Sequence, residues 1–143
     1  MQTQIQLPNI RKIFIPDSGY HIFDADLSGA DAQVVAWEAN DEDLKEAFRQ
    51  GVKIHLKNCE DMFGLTFSEE DIRNEVHKSK ANPKGKKYDE CKRAVHATNY
   101  GASAYTLART PEIGWTVREA ENFQRKWFSL HPGIKRWHER IAK

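Results

Sequence analysis

The sequence predicts a mostly helical α+β fold, with one short antiparallel strand pair followed by six or seven short helices. A strand pattern occurs once, from Gly19 to Asp26, directly after the turn-forming segment Pro16-Asp-Ser-Gly19. The rest of the chain shows apolar residues at helical spacing together with helix start and stop residues. With 143 residues, the chain is long enough for one modest hydrophobic core.

The strand pair would join residues Lys12 to Ile15 with residues Gly19 to Asp26. Side chains alternate between the two faces of a strand. One face of the second strand would therefore carry Tyr20, Ile22, Asp24 and Asp26, and the other His21, Phe23 and Ala25.

Helices are expected over 31–39, 42–49, 54–63, 68 to about 77, 87–100, 116–130 and 134–142. Ser68-Glu-Glu-Asp71 and Thr116-Val-Arg-Glu119 have the spacing of capping boxes, which start helices. Gly51 and Gly101 mark helix ends, and Asn82-Pro-Lys-Gly85 is expected to break the chain between helices.

Composition narrows the class of protein only slightly. The 22 basic and 21 acidic residues nearly cancel, so net charge does not indicate a polyanionic partner. Between Lys78 and Arg93, however, seven basic residues face only Asp89 and Glu90, and a solvated loop is the favoured interpretation of this charged run.

The sequence predicts a cytoplasmic protein without a membrane segment. Its first residues lack the charged and apolar pattern of a signal peptide, and no window approaches 18 consecutive apolar residues. Cys59 and Cys91 lack metal-ligand spacing, so we expect both to be reduced residues on helix faces.

Two groups of residues have chemistry suited to a functional site. In Phe23-Asp-Ala-Asp-Leu-Ser-Gly-Ala-Asp31, Asp24 and Asp26 share one face of the expected strand. Paired carboxylates suit a hard cation such as Mg²⁺, although a strand-end Asp also serves as a helix N-cap.

The second group is Lys92, His96 and Tyr100, which recur every four residues and so form one stripe on a helix. A cation, an imidazole and an aromatic ring in line suit a nucleotide, with phosphate at one end and base at the other. The alternative is a mixed polar helix face with Tyr100 partly in the core.

Both groups resemble motifs of family A DNA polymerases, the class of bacterial DNA polymerase I and its phage relatives. The stretch Arg11 to Asp31 is similar to motif A, Glu46-Ala-Phe-Arg-Gln-Gly-Val-Lys-Ile-His55 and Met62-Phe-Gly64 continue the similarity, and Lys92 to Gly101 resembles motif B. The resemblance implies a partial palm with motif A over residues 1–31 and fingers helices over 32–143, with motif B at 87–101.

In motif A the resemblance implies that Asp26 is the catalytic metal ligand, with the carbonyl of Leu27 beside it, and that the metal is Mg²⁺. Asp24 is not the usual ligand. Asp31 matches the steric-gate position, where the family has a Glu near the sugar 2′ position, and His55 matches a histidine near the phosphates of the incoming nucleotide.

In motif B the resemblance implies that Lys92 binds the triphosphate and that Tyr100 and Gly101 end the helix beside the templating base. His96 matches a position next to the nucleotide sugar that usually holds Phe or Tyr. Tyr88 stands where the family has a phosphate-binding Arg, and we expect that Lys86 or Lys87 could compensate.

Gly29, in place of a frequent Gln, is another departure, and together these differences suggest a divergent, phage-like branch. The implied function is part of a DNA-directed DNA polymerase that binds primed template DNA, the incoming deoxynucleoside triphosphate (dNTP) and Mg²⁺. No second palm carboxylate, from a His-Asp motif, follows Trp137. We therefore expect the chain alone to be inactive and to need a further palm and thumb polypeptide.

An unpaired strand edge also predicts self-association. The alternatives are a nucleotide- or DNA-binding remnant without catalysis and a helical interaction module.

Overall fold

The computed structural model describes residues 13–23, 27 and 29–142. Within these ranges the secondary structure is entirely helical, so the predicted α+β class is wrong. The helices are α1 (Ala30–Glu38), α2 (Glu42–Arg49), α3 (Ile54–Phe63), α4 (Glu69–Arg73), α5 (Pro83–Asn99), α6 (Ala104–Ala108), α7 (Val117–Leu130) and α8 (Pro132–Ile141), with a 3₁₀ turn at Val76–Lys78 between α4 and α5.

The expected strand pair is not formed. Residues 13–23 contain a turn, in which the Tyr20 N–H donates to the Asp17 carbonyl at 3.0 Å, but no β-strand. Their apolar side chains are exposed, and Phe23 is 91% exposed. An isolated hairpin is at best marginally stable in water, and the described residues supply no third strand or helix to cover its apolar face. Lys12 and residues 24–26 of the expected pair lie outside the described residues.

Most helices are confirmed where local sequence features predict them. α2 and α3 have the predicted bounds, and α7 follows the predicted capping box between Thr116 and Glu119. The capping box between Ser68 and Asp71 is also present at the start of α4. These features depend on residues three or four apart, which is why the sequence alone reveals them.

Two helix boundaries differ from prediction by about four residues, and the others that differ do so by one or two. The helix expected from 68 to about 77 ends at Arg73, and Glu75 with φ 53° separates it from the 3₁₀ turn. α5 begins at Pro83 rather than at Lys87, because the Asn82 side chain accepts a hydrogen bond from the Lys84 N–H at 2.9 Å and proline is favourable in the first turn.

The charged run is largely an ion-paired helix face, so the interpretation as a solvated loop is wrong from residue 83 onward. Within or beside α5, Lys84 pairs with Asp71 at 2.9 Å, Lys87 with Glu90 at 3.0 Å and Arg93 with Asp89 at 2.8 Å. α6, which the sequence analysis did not identify as a helix, begins where Ser103 accepts the Thr106 N–H.

The core lies where α5 packs on α3 and where α7 packs on α6 and α8, and α1 contacts α2 and α8. The fully buried side chains include Trp127, Leu107, Ile134, Cys59 and Cys91. The two cysteines are free thiols, as expected for reduced residues. None of the helices in the described ranges is long and apolar enough to cross a membrane.

Candidate functional site

α5 presents Lys92, His96 and Tyr100 as one exposed stripe, as their spacing predicts. The helix ends at Tyr100 with Gly101 in the left-handed conformation, φ 77°. There the Gly101 N–H donates to the Thr98 carbonyl and the Ala102 N–H to the Ala97 carbonyl, at 3.0 and 2.9 Å. These are the two hydrogen bonds of a Schellman motif, which fixes where the helix stops and Tyr100 emerges.

α1 places Asp31 beside this stripe. Its Oδ2 lies 4.0 Å from His96 Nδ1, and the rings of His96 and Tyr100 are 4.8 Å apart. Partial burial raises the pKa of Tyr100, and the neighbouring Asp31 carboxylate raises it further. Asp31, His96 and Tyr100 therefore form one contiguous polar group on two helices.

α3 adds His55, which is partly buried below the stripe. Burial, the largest cause, together with the neighbouring Lys92 and His96 lowers the pKa of His55 to about 4. The imidazole is consequently neutral at pH 7, and its buried Nδ1 has no hydrogen-bond partner among the described residues. A neutral imidazole next to a lysine is able to donate one N–H to an anionic oxygen.

Tyr88, one turn before Lys92, is enclosed rather than aimed outward. The rings of Phe67 and His77 lie edge-on to it at 5.9 and 5.4 Å, and burial raises the pKa of Tyr88 to about 12, with Cys59 and Cys91 adding to the effect. Tyr88 thus packs Phe67, just before α4, and the 3₁₀ turn onto α5.

Lys86 and Lys87 do not join the site residues. Both line a cavity of about 550 Å³ beside α7, and Lys87 lies over the Phe63 ring at 4.5 Å while pairing with Glu90. The structure therefore gives no support to the expectation that one of them replaces the missing arginine.

Much of the predicted motif A falls outside the described residues. Asp24 and Asp26 lie outside the described residues, and Leu27 is described and 77% exposed. Gly29 adopts φ 65° immediately before α1, a conformation that glycine adopts without strain, and this explains why glycine suits the position where glutamine is frequent in the family.

The structure also brings together two carboxylates and a histidine that the sequence did not predict to be neighbours. Asp41, Asp43 and His131 offer ligand atoms within 4.8 Å of one another, which is close enough for a metal ion. Each carboxylate, however, is already engaged: Asp41 caps α2 and accepts from His131 at 3.1 Å, and Asp43 pairs with Lys57 at 2.8 Å. We therefore assign a structural role to this group. Asp41 is recognisable as an N-cap, but nothing local links it to a histidine 90 positions away.

The gathered residues form an open face, since Asp31, Lys92, His96 and Tyr100 are all exposed. The larger cavity, about 710 Å³, lies between α2, α3 and α4 and includes none of them. An open face carrying a lysine, a neutral histidine, an aromatic ring and a carboxylate suits a ligand that is held from its other sides by further groups.

Comparison with known proteins defines the class. The chain belongs to DNA polymerase family A, whose family model matches residues 2–143. This confirms the resemblance on which the site residues were chosen.

Among individual relatives, the chain is 33% identical over 135 residues to DNA polymerase I of Geobacillus stearothermophilus, covering 94% of this chain and 14% of that protein. It is 32% identical over 138 residues to the thermostable DNA polymerase I of Thermus filiformis, again covering 94% of this chain and 14% of that protein. It is 28% identical over 131 residues to DNA polymerase I of Pseudomonas aeruginosa, covering 92% and 13%. The chain thus spans about one seventh of the length of these relatives.

Proposed function

We propose that this chain supplies the dNTP-binding face of a DNA-directed DNA polymerase, with residues 1–31 contributing to the palm and 32–143 forming the fingers. The observation that carries the proposal is the gathering of Asp31, His55, Lys92, His96 and Tyr100 from three helices onto one face. These are the positions that the family resemblance selects.

Each residue has a role that matches its chemistry. Lys92 binds the triphosphate as a point charge, and the neutral His55 donates an N–H to the same phosphates. Asp31 crowds the sugar 2′ position, His96 lies against the sugar, and Tyr100 with Gly101 ends the helix beside the templating base. Catalysis consists of positioning and charge neutralisation, because the primer 3′-hydroxyl is the nucleophile.

Mg²⁺ would be held by the Asp26 carboxylate and the Leu27 carbonyl. Both are oxygen donors of the kind that Mg²⁺ prefers, and substrate phosphates commonly fill its other positions. When bound, the ion would neutralise charge that develops on the phosphates.

Binding of dNTP to the chain in the presence of primed template DNA and Mg²⁺ tests the proposal. We expect Lys92→Met to weaken binding about tenfold, because a hydrogen bond to a charged group contributes about 1.5 kcal/mol. The matched control is Lys135→Met, which removes an exposed lysine on α8 and is expected to leave affinity unchanged. Equal affinity of the wild type and Lys92→Met would contradict the proposal, and binding without Mg²⁺ or Lys92 would favour a non-catalytic remnant.

Primer extension tests the catalytic part. We expect no incorporation by the purified chain, because Asp26 is the one palm carboxylate that the resemblance assigns as a metal ligand. Incorporation by the wild type that disappears in Asp26→Ala would show that a complete site forms in this chain.

Exposed apolar side chains support the proposal that a further polymerase polypeptide, or a second copy of the chain, covers residues 13–23. Ile13, Ile15 and Phe23 are 70%, 78% and 91% exposed. Exposed apolar surface of this kind favours association. Sedimentation velocity tests self-association. A single monomeric species would contradict association between copies of the chain. The phage-like branch and the cytoplasmic location remain predictions.

A further inference from the structure

Side chains of α7 and α8 hold the backbone where α5 ends. Trp127 Nε1 donates to Asn99 Oδ1 at 2.8 Å, and His138 Nε2 donates to the Asn99 carbonyl, also at 2.8 Å. Asn99 is 5% exposed and Trp127 fully buried, so the hydrogen bond from Trp127 is shielded from water, and the one from His138 is partly buried. Asn99 is thus fixed through its side chain and its backbone by two different helices.

A third side chain holds the backbone just beyond the end of α5. Gln124 Nε2 on α7 donates to the Ala102 carbonyl at 2.7 Å and approaches Thr98 Oγ1 at 3.4 Å. The hydrogen bonds to Asn99 and Ala102 therefore flank Tyr100 and Gly101. Helix ends leave carbonyl groups without partners inside the helix, and here His138 on α8 satisfies the carbonyl of Asn99, the last residue of α5.

The ring of Tyr100 is exposed where α5 ends. Tyr100 is 59% exposed, and the ring of His96 lies 4.8 Å away. Partial burial and the Asp31 carboxylate, which interacts with the Tyr100 hydroxyl, raise the pKa of that hydroxyl. The backbone at residues 99–102, which we name the corner, sets where the ring leaves α5 and meets His96 and Asp31.

We propose that Trp127, Gln124 and His138 are positioning residues that fix the corner and thereby set where Tyr100 and Gly101 meet the templating base pair. The second half of this inference rests on the proposed function, whereas the first half concerns the free chain. The two halves have separate readouts.

Hydrogen exchange tests the first half. The amides of Tyr100, Gly101 and Ala102 all donate to carbonyls in the last turns of α5, so their exchange, followed by NMR, reports on local opening of the corner. We expect His138→Phe to speed exchange at these three amides roughly tenfold, because one partly buried hydrogen bond to the Asn99 carbonyl is lost. The phenyl ring retains the ring contact with Phe128, which lies 5.9 Å away in the wild type.

The conservative variant His138→Gln distinguishes positioning from packing. The amide nitrogen of glutamine reaches the place of the imidazole Nε2 and restores the donor, so exchange should return to within about twofold of the wild type. Equal acceleration of the α3 amides would indicate global destabilisation and would overturn the inference, as would unchanged exchange in His138→Phe. If that variant does not fold, Gln124→Met, which keeps the side-chain length but removes the donor, gives the same test from α7.

Base selection tests the second half. With a primed template that carries 2-aminopurine as the templating base, we compare the dTTP and dCTP concentrations that change its fluorescence. The ratio of the two apparent affinities should fall several-fold in His138→Phe and recover in His138→Gln.

An unchanged ratio despite faster exchange would show that the corner does not select bases. A wild-type chain without any response to dTTP would instead contradict the proposed function, while the exchange data would still decide whether the three side chains hold the corner.

Discussion

The pair formed by Asp41 and His131 joins the start of α2 to the turn between α7 and α8, and its removal should be strongly destabilising. Asp41 Oδ1 accepts the Leu44 N–H at 3.1 Å, and its Oδ2 accepts from His131 Nδ1 at 3.1 Å. Both side chains are buried, and His131 Nε2 already lacks a partner among the described residues. In Asp41→Ala, neither ring nitrogen of His131 would have a partner.

The magnitude follows from these contacts. Loss of an N-cap costs about 1 kcal/mol, and loss of a buried hydrogen bond to a charged group costs about 2 kcal/mol. Asp41→Ala should therefore lower the free energy of unfolding by about 3 kcal/mol, a large fraction of the roughly 5–15 kcal/mol of a typical domain. Asp43→Ala, the matched control, removes an exposed carboxylate paired with Lys57 and should cost less than about 1 kcal/mol.

Urea unfolding followed by far-ultraviolet circular dichroism measures both variants. A double-mutant cycle with His131→Leu should give a coupling of about 2 kcal/mol between the two residues. A loss below 1 kcal/mol for Asp41→Ala would refute the reasoning. Equal losses for Asp41→Ala and Asp43→Ala, both abolished by a chelator, would show instead that the group holds a metal ion.

The same pair predicts a pH dependence. Burial alone would raise the pKa of Asp41, but the hydrogen bonds from His131 and from the Leu44 N–H lower it below the ordinary value of 3.8. A lowered carboxyl pKa means that the stabilisation is present above about pH 4 and is lost as the pH falls through the folded-state pKa.

Two further predictions concern α3 and α5. Because the pKa of His55 falls from 6.5 to about 4 on folding, the unfolded chain binds its proton first, and stability should decrease as the pH falls from 6.5 towards 4. His55→Leu should flatten that part of the profile, and an unchanged slope would contradict the assigned pKa. Gly85→Ala should lower the melting temperature although alanine favours helices, because the added Cβ would collide with the Ser79 and Val76 carbonyls. The control Lys86→Ala, next to it and exposed, should leave the melting temperature nearly unchanged.

Prediction from sequence succeeded where three or four neighbouring residues decide the structure. Capping boxes at Ser68 and Thr116 and the stripe from Lys92 to Tyr100 are of this kind. Prediction failed at Asn82-Pro-Lys-Gly85, because residues of these types either interrupt a helix or begin one. The packing of the 3₁₀ turn against Gly85 shows that here they begin α5. The strand pair was wrong because a strand requires a partner that its own sequence does not specify.

The composition of the site required the family resemblance. Spacing placed Lys92, His96 and Tyr100 together, but Asp31 and His55 come from other helices and have no local pattern that links them to α5. Pairs such as Asp41 with His131, or Asn99 with His138, are tertiary contacts between distant positions. Their side chains are common in solvent-exposed positions as well, so neither composition nor periodicity identifies them.

Lys92 is one of two cations in the charged run around α5 that form no ion pair among the described residues. Five of the seven basic residues between Lys78 and Arg93 form ion pairs, namely Lys78, Lys80, Lys84, Lys87 and Arg93. Lys92 has no ion-pair partner among the described residues, and its charge instead helps to lower the pKa of His55. Lys92 is exposed, so its charge is accessible to a bound anion.

This arrangement gives a last prediction that needs no DNA. Lys92→Met should raise the pKa of His55 part of the way from about 4 towards 6.5, since burial, the larger cause, remains. An NMR titration of the His55 ring protons measures the change. Lys84→Met, which removes a cation paired with Asp71, should leave that pKa where it is. If His55 kept its wild-type pKa in both variants, the charge of Lys92 would not act on His55. That result would contradict the proposal that the two residues bind one triphosphate together.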